Sequence, residues 1–290
     1  MSDQPALEFT GERFTPECVR EIAYEHWHRY AWAAGLVRGR RVLDAACGEG
    51  YGSQLLARTA RSVTGIDIDQ ATVEHARSRY GSERLGFDCG DCTRLPYDDD
   101  AFEVVVSFET LEHLEAQDDL LSEFRRVLRP DGFVLLSSPD RSIYSDERGY
   151  DNPFHVRELY RDELEALLAR HFSAYRLWGQ KLMFVSALWA LDGHGPSQWL
   201  VDDNGVVAEA ARPGWPPVYF LAVASAEERY LPAAPAQSMY GDRSESVYQH
   251  YNEEVARHIR AGHLLAEREA EIERLRARLK RPWWRRLLGP

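Results

Sequence analysis

The sequence predicts an α/β fold, a doubly wound and mostly parallel sheet followed by a C-terminal helical appendage. Three observations predict it. Between residues 41 and 140, short apolar runs alternate with segments of helical period. Those runs are nearly continuous, as strands covered on both faces require. The first of them feeds a glycine-rich turn that opens a helix. The 290 residues are 44% apolar and 28% charged, which excludes collagen-like, low-complexity and wholly disordered chains.

Residues 41–45 form a buried-strand run entering the turn, and residues 51–61 read as the helix after it. Residues 62–67 are a second strand. Residues 70–80 place Val73, Ala76 and Tyr80 on one helical face, with Gly81 as the stop. Residues 85–89 are a shorter strand and residues 102–108 a β-branched one. Leu120, Phe124, Val127 and Leu128 mark a helix that Pro130-Asp131-Gly132 ends, before a fifth strand at 133–138. Residues 161–172 are helical, with Leu164, Leu167, Leu168 and His171 along one face. Residues 173–181 and 218–225 are the last strands. The stretch between them, 182–216, is long for a loop, so an acceptor-side insertion is expected there. The expected organisation is a lid at 1–39, the sheet domain at 40–230, a linker at 231–243 and a helical tail at 244–290.

Lys and Arg number 35 and Asp and Glu 47, a net charge of −12. Residues 274–290 hold seven basic residues and no acidic one, which leaves −19 on the remainder. A body that acidic does not suit general nucleic-acid binding. Four cysteines, Cys18, Cys47, Cys89 and Cys92, make no disulfide framework in a chain this long. The N-terminus shows no basic and apolar export pattern. The longest apolar stretch, 182–191, falls far short of the roughly 20 residues of a spanning helix. A cytoplasmic location is expected.

The turn reads V-L-D-A-A-C-G-E-G-Y-G from Val42 to Gly52. Its glycines let the backbone approach a ligand at a helix N-terminus. Asp44, before the glycines, would repel a pyrophosphate but accept from an ammonium group. Asp67 ends the second strand, where a carboxylate takes ribose hydroxyls. Asp91, in Gly90-Asp91-Cys92 after the third strand, is placed to accept from an adenine amino group. These residues resemble the class I S-adenosylmethionine (SAM) methyltransferases, by motif over residues 40–140 and by strand order to 226. The family's turn is D-x-G-x-G-x-G, and Ala46 stands here at its first glycine. The resemblance implies a seven-stranded Rossmann-like sheet. It also implies a SAM site of Asp44, Cys47, Gly48, Gly50, Asp67, Ile68, Asp91, Cys92 and Phe108, with Arg13 or Arg29 at the methionine carboxylate. A nicotinamide-binding turn is the competing reading, and the acid before the glycines disfavours it. Cys89-x-x-Cys92 lacks the second pair of a zinc site.

Phe108-Glu109-Thr110-Leu111-Glu112-His113 follows the fourth strand, at the sheet edge where ligands of such folds bind. If a helix begins here, Glu109, Glu112 and His113 share one face. They then suit either a general base at His113 or a divalent ion that acidifies an acceptor hydroxyl. Helix capping is the bland alternative. The E-x-x-E-H pattern is similar to that of small-RNA 2′-O-methyltransferases and ubiquinone-pathway O-methyltransferases. That likeness implies Mg2+ or Mn2+ on Glu109, Glu112 and His113, with His155 as a downstream fourth ligand. His113, His155 and Glu112 are the catalytic candidates.

GERFTPE, EHWHRY and NPFHVREL look like segments of the methyltransferases of bacterial surface-polysaccharide (O-antigen) assembly. This likeness implies O-methylation of a saccharide or other small-molecule acceptor. Tyr144, Tyr150, Phe154, Trp189, Trp199 and Trp215 suit stacking on a ring. A small-RNA acceptor and a catalytically silent scaffold stay as alternatives. In the tail, Leu265, Ile272 and Leu279 recur with Leu275 between them and Arg268 at the other seam position. That makes about two heptads of coiled coil, a candidate homodimer contact. Basic residues around Trp283 and Trp284 suit peripheral contact with an anionic membrane surface.

Overall fold

The computed structural model describes residues 21–188, 191, 198–203, 206–211 and 213–280. Seven strands form one sheet: β1 (Arg41–Ala45), β2 (Ser62–Asp67), β3 (Leu85–Cys89), β4 (Phe102–Ser107), β5 (Leu128–Pro139), β6 (Ala174–Gln180) and β9 (Tyr219–Ser225). Their order is β3-β2-β1-β4-β5-β9-β6. The β1, β2, β3, β4 and β5 pairings are parallel, and β9 runs antiparallel between β5 and β6. The order reverses at β1 and β4, so their carboxyl ends open the crevice where ligands of doubly wound sheets bind.

Both faces of the sheet are covered. Helices α1 (Glu21–Leu36), α2 (Tyr51–Ala57) and α3 (Gln70–Tyr80) lie in one core with Val42, Val104 and Val106. Helices α4 (Gln117–Val127) and α5 (Arg161–His171) lie in the other with Leu43, Val105 and Val134. Strand residues alternate between the two cores, which is why β1 and β4 read as continuous apolar runs. Helix α3 starts because the Asp69 carboxylate accepts from the Ala71 N–H, and it stops at Gly81. In α4, Leu120, Leu121, Phe124 and Val127 are all buried.

Three local expectations change. The helix expected over 51–61 ends at Ala57, and turns follow. Pro130-Asp131-Gly132 does not precede the fifth strand but lies inside β5, where Pro130 and Asp131 are exposed and Gly132 is buried. The stretch 182–216 contains a hairpin, β7 (Trp199–Asp203) with β8 (Val206–Ala210).

The chain divides into two compact units, residues 1–240 and 241–290. In the second, α6 (Ser246–Lys280) is a single 35-residue helix. Among the described residues no helix is long and apolar enough to cross a membrane.

Candidate functional site

The chain leaves β1 through a turn in which Ala46, Gly48 and Gly50 have φ of 57°, 53° and 92°. Ala46 is thus an alanine in a left-handed position that the related motif gives to glycine. A Cβ on Gly50 would meet the Ala76 Cβ and the Phe87 ring at 2.9 Å, so this glycine serves packing behind the turn. Asp67 crosses from β2 to fix the turn: its Oδ2 accepts from the Gly48 N–H at 2.9 Å and its Oδ1 from the Asp69 N–H at 3.0 Å.

A cavity of about 520 Å³ opens here. Cys47, Gly48, Asp67, Ile68, Asp91, Cys92 and Phe108 line it, so these expected cofactor residues share one wall. Asp44 does not line it. The expectation that its carboxylate meets an ammonium group is corrected: Asp44 is fully buried, and its oxygens accept from Tyr30 Oη at 3.2 Å and Ser53 Oγ at 2.5 Å. Burial pushes its carboxyl up to about 7, against the pull of those two hydroxyls. Gly50 also lies outside the lining, and Arg13 lies outside the described residues. Burial raises the Cys92 thiol to about 12 and holds the Cys47 thiol well above its ordinary value. Neither is an activated nucleophile.

The Asp44 shift has a measurable consequence. An acid near 3.8 when unfolded and about 7 when folded keeps a proton in the native state that the unfolded chain has lost. Stability from this group therefore falls as pH rises from about 4 to 7, by up to about 1.4 kcal/mol per pH unit. Glu25, raised by burial from 4.5 to about 7, adds a slope of the same sign. Urea midpoints measured from pH 4.5 to 7 should fall more steeply in wild type than in Asp44→Asn. Equal slopes would overturn the assignment.

At the other end of the cavity, Leu111–His113 forms one 3₁₀ turn rather than the start of a helix. Glu112 is fully buried and lines the cavity, and neither of its carboxyl oxygens has a hydrogen-bond partner among the described residues. Burial first, then the neighbouring Glu109, raises its carboxyl well above the ordinary range. The His113 Nδ1 donates to the Phe154 carbonyl at 2.9 Å. The His155 Nδ1 donates to Glu158 Oε1 at 2.5 Å, and Ser145 Oγ holds the other Glu158 oxygen at 2.5 Å. Each neutral imidazole therefore carries its lone pair on Nε2. The rings stand 5.1 Å apart, edge to face. Glu112, His113 and His155 each offer a donor atom within 4.8 Å of the others.

Glu109, expected as a ligand on the same face, is not in this group. It sits before the turn at φ 53°, where its Oε1 accepts from Ser137 Oγ at 2.7 Å and faces Arg29 Nη1 at 3.3 Å. The left-handed backbone swings its side chain away from Glu112 and toward α1. Arg29 is 1% exposed. Its Nε donates to Gln180 Oε1 at 2.6 Å, and its guanidinium lies 4.4 Å from the centre of the Tyr219 ring.

Of the aromatics expected to stack on an acceptor, Tyr144 and Tyr150 line the cavity. Phe154 and Trp215 are exposed, Trp199 Nε1 donates to Gln237, and Trp189 lies outside the described residues. Tyr219, Asn152 and His26 line the cavity without having been expected. Tyr219 was legible only as the second residue of the strand expected at 218–225, with nothing to say which face it takes.

Residues 43–136 match the family model of a methyltransferase domain. Over this stretch the chain is similar to class I SAM-dependent methyltransferase domains. A Mycolicibacterium smegmatis protein named a probable SAM-dependent methyltransferase is 45% identical over 166 residues, covering 56% of this chain and 64% of its own. A fatty-acid O-methyltransferase of the same organism is 36% identical over 137 residues, 46% of this chain and 47% of that one. The chain thus spans less than two thirds of the length of these curated relatives. A SAM-dependent methyltransferase structure from Thermotoga maritima superposes with a TM-score of 0.50 at 16% identity, over 71% of this chain and 90% of that chain. The seven-stranded sheet of the methyltransferase domain and its flanking helices are the Rossmann-like fold of that class.

Proposed function

We propose that the domain transfers the methyl group of SAM to a hydroxyl oxygen of a saccharide or other hydroxylated small acceptor. One observation carries the reading: the Gly48–Asp67 turn and the Glu112–His113–His155 group lie in the same cavity. SAM is placed along Gly48, Asp67, Ile68, Asp91, Cys92 and Phe108. Its sulfonium methyl then points toward the two imidazoles. The acceptor oxygen attacks that methyl in line, the C–O bond forms, and the C–S electron pair returns to sulfur. The acceptor proton goes to the His155 or His113 Nε2. The methyl is already activated, so the chain supplies positioning and proton removal. Tyr144, Tyr150 and Tyr219 line the cavity, an aromatic wall that suits a saccharide.

A second reading gives the same three residues a divalent ion. The unpartnered, buried Glu112 carboxyl beside two Nε2 lone pairs favours it. Glu112, His113 and His155 would hold Mg2+ or Mn2+, which when bound would lower the pKa of an acceptor hydroxyl.

Asp67→Ala should weaken SAM binding by about 1–3 kcal/mol, through lost charge-assisted hydrogen bonds and a loosened Gly48 turn. Unchanged affinity by calorimetry would remove Asp67 from the cofactor site. The acceptor is identified by methyl transfer from labelled SAM to a panel of nucleotide sugars, lipid-linked glycans and fatty acids. Label on fatty acids alone would overturn the saccharide reading and align the chain with its fatty-acid O-methyltransferase relative.

The end of the tail, residues 281–290, lies outside the described residues. We propose that Arg281, Arg285 and Arg286 with Trp283 and Trp284 contact anionic membrane surfaces from the cytoplasmic side. Cosedimentation with anionic vesicles should be lost at high salt and on truncation after Lys280. A full-length chain left in the supernatant at low salt would overturn this.

A further inference from the structure

Helix α6 presents an apolar seam to solvent. Leu265, Ile272, Leu275 and Leu279 are 61%, 47%, 47% and 66% exposed, and Arg268 completes the three-and-four spacing of a two-helix contact. Charge along this part of the helix is segregated. Residues 267–273 hold Glu267, Glu269, Glu271 and Glu273 against one arginine, whereas residues 274–280 hold Arg274, Arg276, Arg278 and Lys280 and no acid. Within the chain, Arg268 pairs with Glu271 at 3.0 Å and Arg276 with Glu273 at 2.9 Å. Glu269 and Arg278 have no ion pair among the described residues.

We infer that residues 265–280 form an antiparallel contact with a second copy of this chain, with a two-fold axis beside residues 273 and 274. The seam selects the direction. In a parallel pair every seam residue meets its own copy, so two Arg268 guanidinium groups face each other between apolar layers, an arrangement that costs heavily. In the antiparallel pair Ile272 meets the second copy's Leu275, and this layer occurs twice. Arg268 then lies beside the second copy's Leu279, with its aliphatic stem on the leucine and its head in water. The flanks select the same direction. Antiparallel helices bring Glu269 beside the second copy's Arg276 and Glu271 beside its Arg278, each pair occurring twice. Parallel helices keep only Glu271 with Arg276. The charge blocks agree as a whole: antiparallel overlap lays the acidic run of each copy along the basic run of the other, and parallel overlap stacks like on like.

The contact covers about two heptads, so the dimer is weak and forms by mass action. Sedimentation equilibrium of the full chain at low salt should show monomer passing to dimer over about 1–300 μM. Ile272→Asp should leave only monomer. Glu269→Arg and Arg276→Glu should each raise the dissociation constant about fivefold or more, since each places like charges at two symmetric sites. The double variant E269R/R276E restores opposite charges in the antiparallel pair and should return to within about twofold of wild type. In a parallel pair the double variant still sets Glu271 against the carboxylate introduced at position 276, and it does not recover. Failure to recover overturns the direction. Monomer at all concentrations overturns the contact. Helicity by circular dichroism accompanies every variant, so a lost dimer is not mistaken for a lost helix.

Discussion

Asparagine at position 155 is expected to lower methyl transfer by about 10²–10⁴-fold on the acceptor that the labelling panel returns, with SAM affinity unchanged within about twofold. The residue lines the same cavity as the Gly48–Asp67 turn but makes no contact with it, and in the proposed function it serves the acceptor rather than the cofactor. Glu158 fixes its role. That carboxylate accepts from Nδ1 at 2.5 Å and is itself held by Ser145, so the tautomer of the neutral ring has its lone pair on Nε2. An asparagine keeps the polarity of the side chain but has no basic nitrogen. Glu158→Gln should give a smaller loss, because the ring keeps a partner but loses the charge that stabilises imidazolium. Glu112→Gln and chelation then separate the two uses of the site. If an ion is bound, excess chelator and Glu112→Gln both abolish transfer and manganese rescues only the first. If His155 is a plain base, the chelator has no effect and Glu112→Gln is nearly silent. Full activity of His155→Asn on single turnover would remove His155 from both readings and leave His113 as the base, and full activity of His113→Asn as well would overturn the general-base reading.

The sheet was legible because its signal is local. β1, β2, β4 and β5 each bury both faces, and a run such as Val104-Val105-Val106 reads the same whatever surrounds it. The pairing of β7 with β8 was not legible, because their short apolar runs lie inside the long Gly-, Pro- and Trp-containing stretch 182–216. The site was less legible where a single residue decides the path. A helical start at Glu109 follows from its spacing to Glu112 and His113, but φ of 53° at Glu109 breaks that face and leaves a three-residue turn. Asp44 reads as a ligand-facing acid because its motif does so elsewhere. Here Tyr30 of α1, the element just before β1, folds back to occupy it, and no local pattern records that contact. His155 could be named because its neighbours resemble a known segment. Its partners, Glu158 and Ser145, depend on how residues 142–158 fold back, which spacing does not encode.

Arg29 carries the largest expected stability effect. Arg29→Met should cost about 3–5 kcal/mol, the range for breaking a buried ion pair by removing one member. The side chain is 1% exposed and joins three elements: Nε to Gln180 at the end of β6, Nη1 toward Glu109 after β4, and the guanidinium face on Tyr219 of β9. Burial lowers the guanidinium's proton affinity, but Glu109, Tyr219 and Glu25 outweigh that and keep its pKa above the ordinary value. Methionine fills much of the volume, so the loss measures charge rather than a cavity. What remains after the change is two carboxyls, Glu109 and Glu25, with no cation between them, and Glu25 is raised to about 7 even with the arginine present. Glu109→Gln alone strands the arginine charge instead. The double variant R29M/E109Q removes both and should recover at least about 1 kcal/mol relative to the sum of the single changes, measured by urea unfolding. Glu109 also lines the cavity, so Arg29→Met should blunt methyl transfer even where the chain stays folded, while His155→Asn leaves stability nearly unchanged. The two variants therefore separate by readout: one moves the urea midpoint, the other only the rate. Arg29→Met within about 1 kcal/mol of wild type would mean that water reaches the guanidinium, and that the other contacts of α1, such as Tyr30 on Phe108, Trp32 on Trp178 and the Glu25 carbonyl with Gln180, suffice to hold it to the sheet.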